Sequence, residues 1–154
     1  MKIKHFIIGL LSTLTLQSAI AQDYPTDYLS PAFHAGRRAA FKEKMSDKGV
    51  GIFFASQTRQ RSNDTEFQYA QNKNFYYLTG LEEPNAVLLL FKQPVTLLGK
   101  TGTEFIFVQN RDPFKELWTG KILGVDGFKA KSKMEHVFIN DQFTNASISL
   151  ADVD

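Results

Sequence analysis

The spacing of apolar and polar residues changes along the chain, and each change marks an element. Ser30-Pro31 pairs a hydroxyl N-cap with proline at the first helical position, where its missing N–H costs nothing. Phe33, Arg37, Phe41 and Met45 then recur every four residues among Arg38, Lys42, Glu43 and Lys44. This predicts an amphipathic helix that ends near Lys48-Gly49 and rests its apolar face on a sheet, with Arg37 and Arg38 on a solvated face or in surface ion pairs rather than in a ligand site. Val50 to Ala55 is a continuous apolar run after a glycine, the pattern of a strand buried on both sides. Between Arg61 and Asn74 the chain is dense in Asn, Asp, Glu and Gln, which bond backbone groups in loops. That loop feeds the aromatic run Phe75-Tyr76-Tyr77, closed by Thr79-Gly80 and expected to be a core strand. Ala86 to Phe91 reads as a second buried strand, and the short turn between the two predicts a hairpin.

Beyond Gln93 a proline and two glycines leave either a short edge strand or a loop up to Gly102, and Thr103 to Val108 reads as a strand. Arg111-Asp112-Pro113 breaks it. Phe114 to Trp118 suggests a helical turn, Gly120, Gly124 and Gly127 interrupt regular structure, and Met134 to Asn140 is a further strand. Asn145 to Asp154 carries no pattern. Helix and strand signals mixed in this order predict an α/β fold, a mixed β-sheet flanked by helices.

The first residues belong to a different kind of pattern. Lys2, Lys4 and His5 precede an apolar run from Phe6 to Leu16, and Ala19-Ile20-Ala21 puts small residues where a signal peptidase reads. Residues 1–21 are therefore expected to be a secretory signal cleaved after Ala21, and residues 22–154 one exported domain, periplasmic or secreted. The run is shorter than the roughly 20 residues that span a bilayer, so no membrane association is expected after cleavage. Without Lys2 and Lys4, the 18 basic residues fall level with the 16 acidic ones. A balanced chain offers no electrostatic footprint for nucleic acid. There is no cysteine, which excludes disulfides, thiol nucleophiles and thiolate metal sites together.

Candidate chemistry is sparse. His34 and His136 have no second histidine at metal-ligand spacing, and each reads as a packed or surface residue. Asp64 with Glu66, and Glu82 with Glu83, are carboxylate pairs; on an extended segment the first pair would share a face, the minimum for acid-base work or a cation. No Gly-x-Ser-x-Gly elbow or phosphate-cradling glycine loop is present. Trp118, the sole tryptophan, reads either as a half-buried packing residue or as the wall of a ligand pocket.

Taken together, Arg37-Arg38, Gly51-Ile-Phe-Phe-Ala55, Arg61-Ser62 with Asp64, and Glu66 with Tyr69 begin a series of familiar pieces. Gln71-Asn72, Phe75-Tyr-Tyr-Leu-Thr-Gly80, Glu83-Pro84 with Ala86, Arg111-Asp112, and Glu116 with Trp118, Gly120 and Gly124 complete it. In this order they resemble the N-terminal domain of aminopeptidase P, in the creatinase and prolidase superfamily. Gln68, Ala70 and Lys121 depart from the family's usual residues.

The resemblance implies a ribonuclease H-like domain that precedes a pita-bread catalytic domain. There a dinuclear metal centre, usually Mn2+, releases the N-terminal residue from peptides with proline second. It also implies a homo-oligomer in which this domain helps close a neighbouring subunit's active site, with Asp64 and Trp118 matching the substrate-facing positions. The catalytic ligand set has no counterpart here, so no catalytic or metal residue is expected in this chain, and peptidase activity is not expected from it alone. The alternatives are a stand-alone peptide-binding or assembly module and, less favoured, an independent hydrolase using Asp64, Glu66 and a histidine.

Overall fold

The computed structural model describes residues 29–144 and Ala146. The proposed signal segment and nearly all of the patternless stretch from Asn145 lie outside the described residues.

Helix α1 spans Pro31–Glu43 and starts as its sequence predicts, with Ser30 Oγ accepting the Phe33 amide at 3.2 Å. It stops before Lys48-Gly49. Its buried residues are His34 and Arg38 rather than the Phe33 and Phe41 row, so the expectation of a solvated pair holds for Arg37 and fails for Arg38. The reason lies on the neighbouring elements. Arg38 Nε donates to Glu104 at 2.8 Å and Nη1 to the Leu78 carbonyl at 2.8 Å, so its head is paired where it is buried. Lys42 adds contacts to Glu104 at 2.7 Å and to Thr103 Oγ1 at 2.9 Å.

The main sheet is built from β1 (Val50–Phe54), β4 (Val87–Leu97), β5 (Lys100–Val108) and β6 (Val137–Ile139), in the order β1-β4-β5-β6. The first three are antiparallel neighbours and β6 runs parallel to β5, so the sheet is mixed, as expected. Two further strands, β2 (Gln60–Ser62) and β3 (Thr65–Glu66), form a separate small hairpin. The stretch after Gln93 is neither loop nor separate edge strand: β4 continues past a break in register between Leu90 and Val95, where Pro94 supplies no ladder donor. Leu98 and Gly99, both at positive φ, then turn directly into β5, the geometry a tight hairpin demands.

Other expectations from the sequence pattern are overturned. The aromatic run is not a strand but helix α2, Lys73–Thr79. Asn72 Oδ1 accepts the amides of Asn74 and Phe75, and Gly80 closes the helix at φ +67, its amide bonded to the Tyr76 carbonyl at 2.7 Å. The hairpin partner of Ala86 to Phe91 is therefore not the aromatic run but β5, with β1 on its other side. Gly80 is also a close-approach point, since a Cβ there would sit 2.6 Å from His34 Nε2. The second reversal concerns the glycines after Trp118. Only Gly120 interrupts a helix; Gly124 opens one, since α3 covers Glu116–Thr119 and α4 covers Gly124–Ser132.

Burial follows the pleat of β4. Leu88 and Leu90 pack with Phe75, Leu78, Leu81, Ile106 and Phe128 on the face under α2 and α4, and Val87, Leu89 and Phe91 pack with Phe105 and Phe107 on the other. A strand buried on both faces reads as a continuous apolar run, and β4 is that strand. β1 is not: among the described residues it lies at the sheet's border, with Ile52 and Phe54 exposed.

Candidate functional site

Asp64 occupies the turn of the β2–β3 hairpin, next to Asn63 at φ +49. The extended segment that would aim Asp64 and Glu66 at one face is broken there: Glu66 is on β3 and Asp64 on the turn, both exposed. At the hairpin's base the Phe67 amide bonds the Arg59 carbonyl at 2.9 Å, and the Arg59 guanidinium lies 5.6 Å from the Phe67 ring centre. A groove of about 420 Å³ opens beside it, lined by Ser56, Arg59, Phe67 and Tyr69 among others.

Behind the hairpin the polar stretch resolves into a pin. Gln71 Oε1 accepts the amides of Ser56 and Asn72, each at 2.8 Å, and Nε2 donates to the carbonyls of Leu81 and Glu83 at 3.1 and 2.9 Å. Such a side chain uses both halves of its amide and holds three segments together. Tyr69 donates to the Ser56 carbonyl at 3.2 Å, and burial together with the nearby Glu83 carboxylate pushes its hydroxyl up to about 12.

Glu83 is the buried carboxylate of this region. Its Oε1 accepts the Leu123 amide at 2.7 Å, while Oε2 is buried without a hydrogen-bond partner. Burial raises its pKa; the Leu123 bond and Lys131 oppose the rise, and Glu116 adds to it. A carboxyl whose pKa folding raises contributes stability that is present below its unfolded value and lost as pH rises through its folded value. Glu83→Gln should therefore gain on the parent chain between about pH 4 and about pH 7. Urea unfolding at the two pH values checks this, and an equal difference at both would refute it.

Trp118 lies on α3, a four-residue helix with no buried member. Asp112 Oδ1 accepts the Phe114 amide at 3.0 Å and so starts the turn. Three large apolar side chains then face outward: Phe114 is 73% exposed, Leu117 76% and Trp118 84%. The half-buried packing role for Trp118 is thereby excluded. Among the described residues, the side chains of Asp64 and Trp118 make no hydrogen bond, ion pair or ring contact with each other or with other residues.

The histidines have structural settings. His34 donates from Nδ1 to the Tyr77 carbonyl at 2.9 Å and meets Phe33 and Tyr76 edge-on. His136 stacks on Phe105 and donates to the Thr101 carbonyl at 3.1 Å. Among the described residues no group of three His, Asp or Glu side chains is placed to hold a metal ion. The described residues do not fit a dinuclear centre.

A mixed sheet with this strand order, an outward ridge after β5 and the polar pin behind the hairpin can be set beside known proteins. A family model described as "Aminopeptidase P, N-terminal domain" matches residues 34–152. The chain belongs to the aminopeptidase P N-terminal domain family. An Xaa-Pro aminopeptidase of Escherichia coli is 38% identical over 95 residues, covering 62% of this chain and 21% of the relative. Human Xaa-Pro aminopeptidase 3 is 33% identical over 105 residues, covering 66% and 20%. Solved structures agree: Escherichia coli aminopeptidase P in complex with substrate superposes with a TM-score of 0.67 at 30% identity, over 77% of this chain and 26% of that one. A zinc-substituted form of the same enzyme in complex with product matches equally, so metal belongs to that protein. The chain spans about a fifth of the length of these curated relatives.

The roles of Gln71 and Glu83 as internal ties needed contacts across 12 to 40 residues of chain, which spacing does not reveal. The one local signal was the Asx density of the loop, which marks satisfied backbone without naming the partner.

Proposed function

We propose that these residues form the leading lobe of an exported Xaa-Pro aminopeptidase. Its part is to build contacts in a homo-oligomer and close a neighbouring subunit's active site. The reaction itself, release of the residue ahead of proline, falls to a catalytic domain with two Mn2+ ions in the portion of such enzymes that these residues do not span. In this reading the signal is removed after Ala21 and the lobe is not membrane-bound.

The observation that carries the reading is the ridge of Phe114, Leu117 and Trp118, which gives the lobe no internal packing and presents an aromatic anchor outward. Exposed indoles with apolar neighbours are the usual anchors of interfaces and ligand walls. An indole of this kind covers a proline ring or an apolar side chain, and the unpaired Asp64 carboxylate suits a peptide's terminal ammonium group.

The test is a graft of residues 29–154 in place of the corresponding lobe of the Escherichia coli enzyme. The graft is expected to cleave Xaa-Pro peptides with manganese present, and Trp118→Ala in it to lower kcat/KM about thirtyfold, the loss of one interface anchor. The 154-residue chain alone is expected to cleave nothing. Cleavage by the chain alone, or a graft indifferent to Trp118, would refute the reading.

A further inference from the structure

Several residues that carry the family resemblance have no part in the proposed function, yet they meet in one place. Helix α3 has only four residues and buries none of them, and the Asp112 bond to the Phe114 amide ties only its start. The loop after it is bracketed by Gly120 at φ +82 and Gly124 at φ +64, both in the region that favours glycine. A Cβ on Gly124 would lie 2.9 Å from the Arg111 Cβ, so the loop's far end sits against the residue that precedes the ridge.

Within the bracket, two consecutive amides are taken by carboxylates from different parts of the chain. The Ile122 amide donates to Glu116 Oε1 at 3.1 Å, and the Leu123 amide donates to Glu83 Oε1 at 2.7 Å. Both carboxylates belong to residues tied at a second point. Arg111 holds Glu116 through Nε at 2.9 Å and Nη2 at 3.3 Å, leaving its side chain only 11% exposed. Glu83 is held at its own carbonyl by Gln71. Leu123 also packs against the core cluster beneath α4, so the clamp joins the ridge to the rigid part of the fold.

We propose that Glu83 and Glu116 are positioning residues that clamp the Ile122 and Leu123 amides and thereby set the direction in which the Phe114, Leu117 and Trp118 ridge points. What the ridge meets rests on the reading above; the clamp itself does not. An anchor that must enter a neighbour's site binds more tightly when its pose is fixed beforehand, because less motion is lost on docking.

The experiment uses the 154-residue chain and two readouts: amide hydrogen exchange by NMR at Ile122 and Leu123, and the fluorescence anisotropy of Trp118, the sole tryptophan. Glu83→Ala is expected to speed exchange at Leu123 by about fivefold or more and to lower the anisotropy. The Ile106 amide, bonded to the His136 carbonyl in the sheet, should stay at its parent rate. Glu83→Gln retains an acceptor oxygen and should keep both readouts at parent values, a rescue that general destabilisation would not give. Glu116→Ala, outside both core clusters, should act in the same way at Ile122 and keeps the test intact if Glu83→Ala does not fold. Parent-like exchange and anisotropy in the alanine variants, or failure of Glu83→Gln to rescue with Ile106 unchanged, would overturn the proposal. Neither readout needs a partner, so an inactive graft would count against the proposed function and leave the clamp standing.

Discussion

Arg38→Ala is expected to lower the unfolding free energy by about 3–5 kcal/mol, the usual cost of removing one partner from a buried ion pair. Arg38 is 3% exposed, and its loss leaves Glu104 facing Lys42 alone and strips the Leu78 carbonyl of its donor. Arg38→Met, which keeps most of the apolar stem, separates lost packing from lost charge. Urea unfolding of the three chains measures both, and a change below about 1 kcal/mol in Arg38→Ala would mean the pair behaves like a surface one. The acid side of the profile gives an independent reading. Burial alone would raise the Glu104 carboxyl, but hydrogen bonds from Lys42 and Arg38 and the Arg38 charge outweigh it, and its pKa ends below the usual 4.5. A carboxyl lowered by folding contributes stability that is present above the unfolded value and is lost as pH falls through the folded one. Loss of stability on acidification should therefore be shallower in Glu104→Gln than in the parent.

Phe75→Ala should cost about 3–5 kcal/mol, whereas Tyr77→Ala should cost about 1 kcal/mol or less. Phe75 is 0% exposed in the cluster between α2 and the sheet, and Tyr77 is 46% exposed. Had the aromatic run been a strand, Phe75 and Tyr77 would point to the same face and respond alike. Equal losses at the two positions would therefore refute the helix.

The same run shows why part of the fold was illegible. Phe, Tyr and Tyr in succession have strand propensity, but that preference is weak beside tertiary packing, and the deciding signals were the flanks. Asn72 and Gly80 were read as loop and turn, and the same two residues serve as N-cap and left-handed cap. Helix α1 is legible because its start signal is chemical and local, and the sheet because β4 opens, and β5 closes, on a short continuous apolar run. The burial of Arg38 is illegible because nothing near it in sequence announces Glu104, 66 residues away. Among site residues, Asp64 and Trp118 were named through resemblance and not through spacing, and Glu83 was seen only as half of a carboxylate pair. Its true partner is a backbone amide, which carries no sequence signature.

The border strand β1 has a practical consequence. Val50–Phe54 contains no charge and no proline, and it ends in an exposed phenylalanine. Among the described residues no strand pairs with its outer margin, and nothing in its composition discourages one from joining, so at high concentration copies of this domain are expected to adhere there, sheet to sheet.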